Sequence, residues 1–154
     1  MPEVFADPEC STLLFLPLAH VFGRIIQIAW LHAKVPLGHT ADVTMLVDDL
    51  GAFRPSFVLA VPRVFEKIYN GAQQRAIASG KGRIFDRATA TAIAYSESLD
   101  SGGPGVALRL QHTVFDRLVY SKLRDAMGGR VRWAVSGGAP LGARLGHFFR
   151  GVGL

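Results

Sequence analysis

The chain has a single cysteine, Cys10, which excludes an internal disulfide framework and any multi-cysteine metal site. Such a composition suits a reducing compartment, and the expected location is cytoplasmic. Charge is scarce as well: 19% of residues are charged against 49% hydrophobic, so some apolar surface should meet more than the chain's own core. The net charge of +5 comes from cations scattered among acids, as in FEKIYNGAQQR and RLVYSKLRD. Without a basic run interleaved with aromatics, no nucleic-acid partner is expected. The amino terminus MPEVFADPEC carries acids where a signal peptide needs cations. The longest apolar run, Leu13 to Leu31, is broken by Pro17, His20, Gly23, Arg24 and Gln27, so it is no membrane span. Peripheral contact with a membrane stays open. No GxxxxGK[ST], GxGxxG, GxSxG, HExxH, CxxC or EF-hand spacing occurs, and the five histidines do not pair at metal-ligand spacing. The chain holds no complete catalytic set and no metal site.

What is present reads as α/β. A length of 154 residues suits one unit with its own core. Leu13–Leu16 is a continuous apolar run ended by Pro17, the pattern of a strand buried on both faces. A mostly buried helix should follow from His20 to Ala33, with Val21, Ile25, Ile28, Ala29 and Trp30 as its apolar side. A second strand is expected at Val35–Gly38, a helix capped by Asp42 with Leu46, Leu50 and Phe53 in register, and a third strand at Phe57–Val61. Pro62 opens a helix with Val64, Phe65, Ile68, Tyr69 and Ala72 on one stripe. Such alternation predicts a mostly parallel sheet with helical crossovers. Over residues 79–127 the rhythm turns helical. One helix carries Ile84, Phe85, Ala88, Ala92, Tyr95 and Leu99 inward. The next, Val106 to Met127, carries Leu110, Val114, Phe115, Leu118, Val119 and Leu123 inward and stops at Gly128 and Gly129. This stretch is expected to be an insertion in a single partial domain spanning 1–154.

The organising stretch is Val131 to Gly142, VRWAVSGGAPLG. Val131, Trp133 and Val135 alternate with Arg132, Ala134 and Ser136 as in a half-buried strand, which then meets Gly137 and Gly138. Pro140 suits the first turn of a last helix, Leu141–Arg150, with Leu141, Leu145, Phe148 and Phe149 inward. Glycines let a flat ligand approach the backbone, so SGGAP is either a ligand turn or a plain strand-to-helix connection.

Three segments in order, FLPLAHVFGR (15–24), FRPSFVLAVPRVFEKIY (53–69) and VSGGAPL (135–141), closely resemble the middle of long-chain fatty acyl-CoA synthetases of the adenylate-forming superfamily. The resemblance covers essentially the whole chain, GKGRIFDRA included. It implies a part of the AMP-binding domain of an enzyme that makes an acyl-adenylate and pyrophosphate from ATP and a fatty acid. CoA then displaces AMP, and Mg2+ accompanies ATP. It places His20, Phe22 and Gly23 on the acyl side, with Val61 and Pro62, and sets Gly137, Gly138, Ala139 and Pro140 against adenine. Read without the family, His20 is a helix-start or core residue, and Arg63, Glu66 and Lys67 are a solvated helix face.

The chain departs from the family at Gly23, where many relatives carry an acid that would pair with Arg24. The family's phosphate loop is expected before Met1, its aromatic-Gly-x-Thr-Glu motif after Leu154, and its ribose aspartate and adenylation lysine further on. The resemblance thus implies a piece of a fatty acid ligase, inactive alone, binding no cofactor tightly, and prone to self-association through uncovered apolar faces. A free-standing module that holds an acyl chain or adenine nucleotide without chemistry is the alternative, and a helical partner-binding piece is a third.

Overall fold

The computed structural model describes residues 9–154; most of the acidic amino-terminal stretch discussed above lies outside the described residues. The described chain divides into two compact units, one comprising the chain up to Val61 with Asp125–Ala139, the other Pro62–Arg124 with Pro140–Leu154.

The first unit is built on a parallel sheet of β1 (Thr12–Leu14), β2 (Leu37–His39), β3 (Phe57–Ala60) and β4 (Trp133–Ser136), in the order β2-β1-β3-β4. Register pairs Thr12 with Leu37 on one side of β1 and with Phe57 on the other, and Phe57–Ala60 runs beside Trp133–Ser136. The parallel sheet is as the apolar runs predict, with shifted bounds. β1 begins at Thr12, whose hydroxyl donates to the Phe57 carbonyl at 2.8 Å, and ends before the turn in which His20 N–H donates to Pro17 O. β2 starts after Pro36, which has no N–H to give the sheet; Val35 N–H instead donates to Trp30 O and closes α1 (Val21–Ala33). Asp42 caps a 3₁₀ turn, Val43–Met45, that leads into α2 (Leu46–Phe53), where Leu46 and Leu50 are buried.

α1 corrects the expectation of a mostly buried helix. Gly23, Ile26 and Trp30 face inward, while Val21, Ile25, Ile28 and Leu31 are each more than half exposed. Both sides of the helix are apolar, so periodicity could not tell which one meets the sheet. The core joins Leu14, Ile26, Trp30, Phe57 and Leu59 to Cys10, with the Trp30 and Phe57 rings 5.0 Å apart.

The second unit is helical: α3 (Pro62–Ala78), α4 (Gly82–Leu99), α5 (Val106–Phe115), a π turn at Asp116–Tyr120, most of α6 (Ser121–Ala126), and α7 (Ala143–Val152). Phe65, Tyr69, Phe85, Phe148 and Phe149 form a run of tilted and edge-on ring pairs 5.0–6.4 Å apart. On α4, Phe85, Ala88 and Ala92 are buried as expected, but Ile84 and Leu99 are exposed. The expected Val106–Met127 helix is interrupted by the wide π turn, which shifts the phase of the inward face. Leu110, Val114 and Leu118 are therefore exposed, against expectation, and Tyr120, Leu123 and Met127 are buried. Tyr120 donates its phenol proton to Ala88 O at 2.6 Å. The last helix begins at Ala143 with Gly142 as its N-cap, so Pro140 precedes the helix instead of opening it.

Candidate functional site

Parallel pairing puts the carboxyl ends of β1, β3 and β4 at one edge of the sheet. The loops that follow them are Phe15–His20, Val61 and Gly137–Ala139. β2 and β3 lie on opposite sides of β1, so successive crossovers leave β1's edge in opposite directions, the arrangement that opens a ligand crevice outside the strand ends. The three segments singled out by sequence end at this edge.

Gly137 N–H donates to Ala60 O at 3.0 Å, which holds the turn against the end of β3. The ring of Phe22, in the first turn of α1, lies over Gly137. A Cβ there would sit 2.9 and 3.1 Å from Cε1 and Cε2, so only glycine admits the ring. Gly138 has φ +81°, a conformation that disfavours any other residue, and Val61 Cγ1 would lie 3.6 Å from its Cβ. Gly138, Ala139 and Pro140 are exposed. The turn thus has two parts: Gly137 is covered by Phe22, and the next three residues are exposed.

His20 caps α1. Its backbone is extended, and Phe22 N–H donates to Nδ1 at 3.4 Å. That bond leaves the ring proton of the neutral imidazole on Nε2. The helix-start reading of this histidine describes its geometry; the core reading does not, since His20 is exposed. Gly23 is buried, and a Cβ there would lie 2.7 Å from Pro17 O and 3.2 Å from Leu16 O. Arg24 finds a partner without an acid at position 23: its Nε donates to Leu18 O at 2.8 Å, tying the helix to the LPLAH loop. Pro62 and Pro140 are each the first residue of a segment in the second unit.

Sequence reasoning passed over Ser136. Its Oγ is shut off from solvent and has no hydrogen-bond partner in the structure, immediately before the open turn. The available signal was its place in VSGGAP, immediately before the glycine pair. Among the described residues no group of three or more His, Cys, Asp and Glu could hold a metal ion.

The AMP-binding enzyme family matches residues 1–154. The chain belongs to that family. Among curated relatives, the long-chain-fatty-acid–CoA ligase FadD15 of Mycobacterium tuberculosis is 61% identical over 142 residues, covering 92% of this chain and 24% of that protein. Long chain acyl-CoA synthetase 5 of Arabidopsis thaliana is 36% identical over 141 residues, 90% of this chain and 20% of its own length. The peroxisomal long chain acyl-CoA synthetase 7 of the same plant is 34% identical over 146 residues, with shares of 93% and 20%. The chain therefore spans about a quarter or less of these relatives. No solved structure matches it.

Proposed function

We propose that this chain is the central part of a long-chain fatty acid–CoA ligase, contributing one wall of the site where an acyl-adenylate is made and passed to CoA. The observation that carries this reading is the meeting of the family's segments at one sheet edge, with Phe22 against Gly137 and Val61 beside Gly138. Gly138, Ala139 and Pro140 back the adenine of ATP or AMP, because an exposed backbone turn offers a flat face and peptide hydrogen-bonding groups. Gly137 and Phe22 position that turn, and His20, Gly23, Val61 and Pro62 border the acyl side. The uncovered apolar stripe Val21, Ile25, Ile28 and Leu31 of α1 fits a protein with further chain to cover it. Stabilisation of charge at the α-phosphate needs preorganised donors and cations. These belong to residues outside the 154.

The test is replacement of the matching 142 residues of the mycobacterial ligase by this chain, followed by assay of palmitate-dependent pyrophosphate release and thioester formation. The chimera should form palmitoyl-CoA, while the 154 residues alone release no pyrophosphate. A folded chimera without ligase activity would contradict the proposal. Turnover by the chain alone would contradict the claim that its site is incomplete.

A further inference from the structure

β4 ends on a hydroxyl that no described residue satisfies. Register sets Ser136 directly across from Ala60, and Gly137 N–H donates to Ala60 O at 3.0 Å, so Ser136 is the last residue of β4 before the turn. Its Oγ is sealed from solvent and has no hydrogen-bond partner. Strand alternation places Trp133 and Val135 on one face of β4 and Ala134 and Ser136 on the other. Trp133 packs against the core that includes Trp30 and Phe57, so Ser136 lies on the face away from that core. The neighbours on its own face, Ala134 along the strand and Ala60 across it, have no polar side-chain atom to offer. Two other hydroxyls buried at this sheet are paired: Thr12 Oγ1 donates to Phe57 O at 2.8 Å, and Ser56 Oγ accepts from Ser11 N–H at 2.9 Å. Both of those sit at the amino ends of strands. Ser136 sits at a carboxyl end, next to the exposed turn and at the edge where the crevice opens. A buried hydroxyl without a partner lowers stability, and alanine would occupy the same place without that loss.

We propose that Ser136 is a further nucleotide-binding residue, whose hydroxyl finds its partner on the base seated against Gly138 and Ala139. The proposal rests on the ligase reading, in which that turn backs adenine, and adds a side-chain contact to it. Adenine presents ring nitrogens that accept and an amino group that donates, and a hydroxyl does either. Rotation about Cα–Cβ carries Oγ among three staggered positions without moving the backbone. Oγ therefore turns from its sealed position toward a base on the turn.

The test is calorimetric titration of the ligase chimera with AMP and, separately, with adenosine. Ser136→Ala should weaken both about fivefold, while its urea midpoint stays level or rises. The KM for palmitate should not change. Unchanged affinity in Ser136→Ala, or no AMP binding by the folded chimera, would overturn the proposal. Weaker AMP binding with adenosine binding unaffected would place the hydroxyl at the phosphate, and a raised KM for palmitate would place it at the acyl group; either result overturns the contact with the base. A lowered urea midpoint in Ser136→Ala would reveal a protein partner for Oγ, with the same consequence. Palmitoyl-CoA formation by the unsubstituted chimera reports on the ligase reading itself, so the two fail separately.

Discussion

Replacing Gly137 by alanine tests whether the LPLAH and SGGAP segments truly meet. Gly137 is not in the left-handed region that penalises side chains, so the main perturbation by alanine is steric. The added methyl would lie 2.9 and 3.1 Å from two ring carbons of Phe22, against about 3.5–4.0 Å for a relaxed carbon pair. The ring must therefore move by about half an ångström or more and give up part of its packing, at a cost of about 1–3 kcal/mol. For a chain of this length that lowers Tm by roughly 2–4 °C per kcal/mol. Phe22→Ala alone should destabilise by about 2 kcal/mol, below the range for a fully buried ring because Phe22 is half-buried. With the ring gone, Gly137→Ala should cost less than about 0.5 kcal/mol, giving a coupling of about 1–2 kcal/mol in the double-mutant cycle. Urea unfolding of the four proteins, followed by circular dichroism, measures it. Additive effects, within about 0.5 kcal/mol, would refute the contact and with it the site geometry.

Gly138→Ala should destabilise by about 1 kcal/mol through its positive φ, and Val61→Ala should give no rescue, since their separation of 3.6 Å is ordinary contact; the same unfolding assay decides. Gly151→Val in α7 should cost 3 kcal/mol or more in thermal unfolding, because a Cβ there would lie 2.6 Å from the Ala92 carbonyl carbon of α4 and backbone must move. Burial, with a smaller contribution from the Asp116 carboxylate, pushes the Tyr120 phenol well above its ordinary value. The folded chain then keeps a proton that the unfolded chain loses above about pH 10, so stability should be level below that pH and fall above it by up to about 1.4 kcal/mol per unit. Denaturant titrations from pH 8 to 11 should show a shallower fall for Tyr120→Phe, and equal slopes would refute this.

The parallel sheet was legible because its strands are short apolar runs separated by helix-length segments, which hairpins cannot connect. Pro62 and Gly128 marked a helix start and a helix end directly. What could not be read was which side of an apolar helix faces in. α1 has apolar residues on both its buried and its exposed side, and Leu110, Val114 and Leu118 lie outside where a π turn breaks the helical period after Phe115. The helix start at His20 was readable in the sequence, whereas the bond from Arg24 to Leu18 O was not, since it depends on how the LPLAH loop turns back on the helix. In the site, the three segments were visible as motifs, but the division of labour between Gly137 and Gly138 was not. It rests on where the ring of Phe22, more than a hundred residues earlier in the chain, comes to lie.

Photolabelling with 8-azido-ATP tests the central claim most directly, because it reports where adenine rests. In the ligase chimera, with peptides identified by mass spectrometry and unlabelled ATP as competitor, the account predicts competed label within residues 138–141 and its loss in Gly138→Trp. Competed label confined to other segments, with none on this turn, would contradict it.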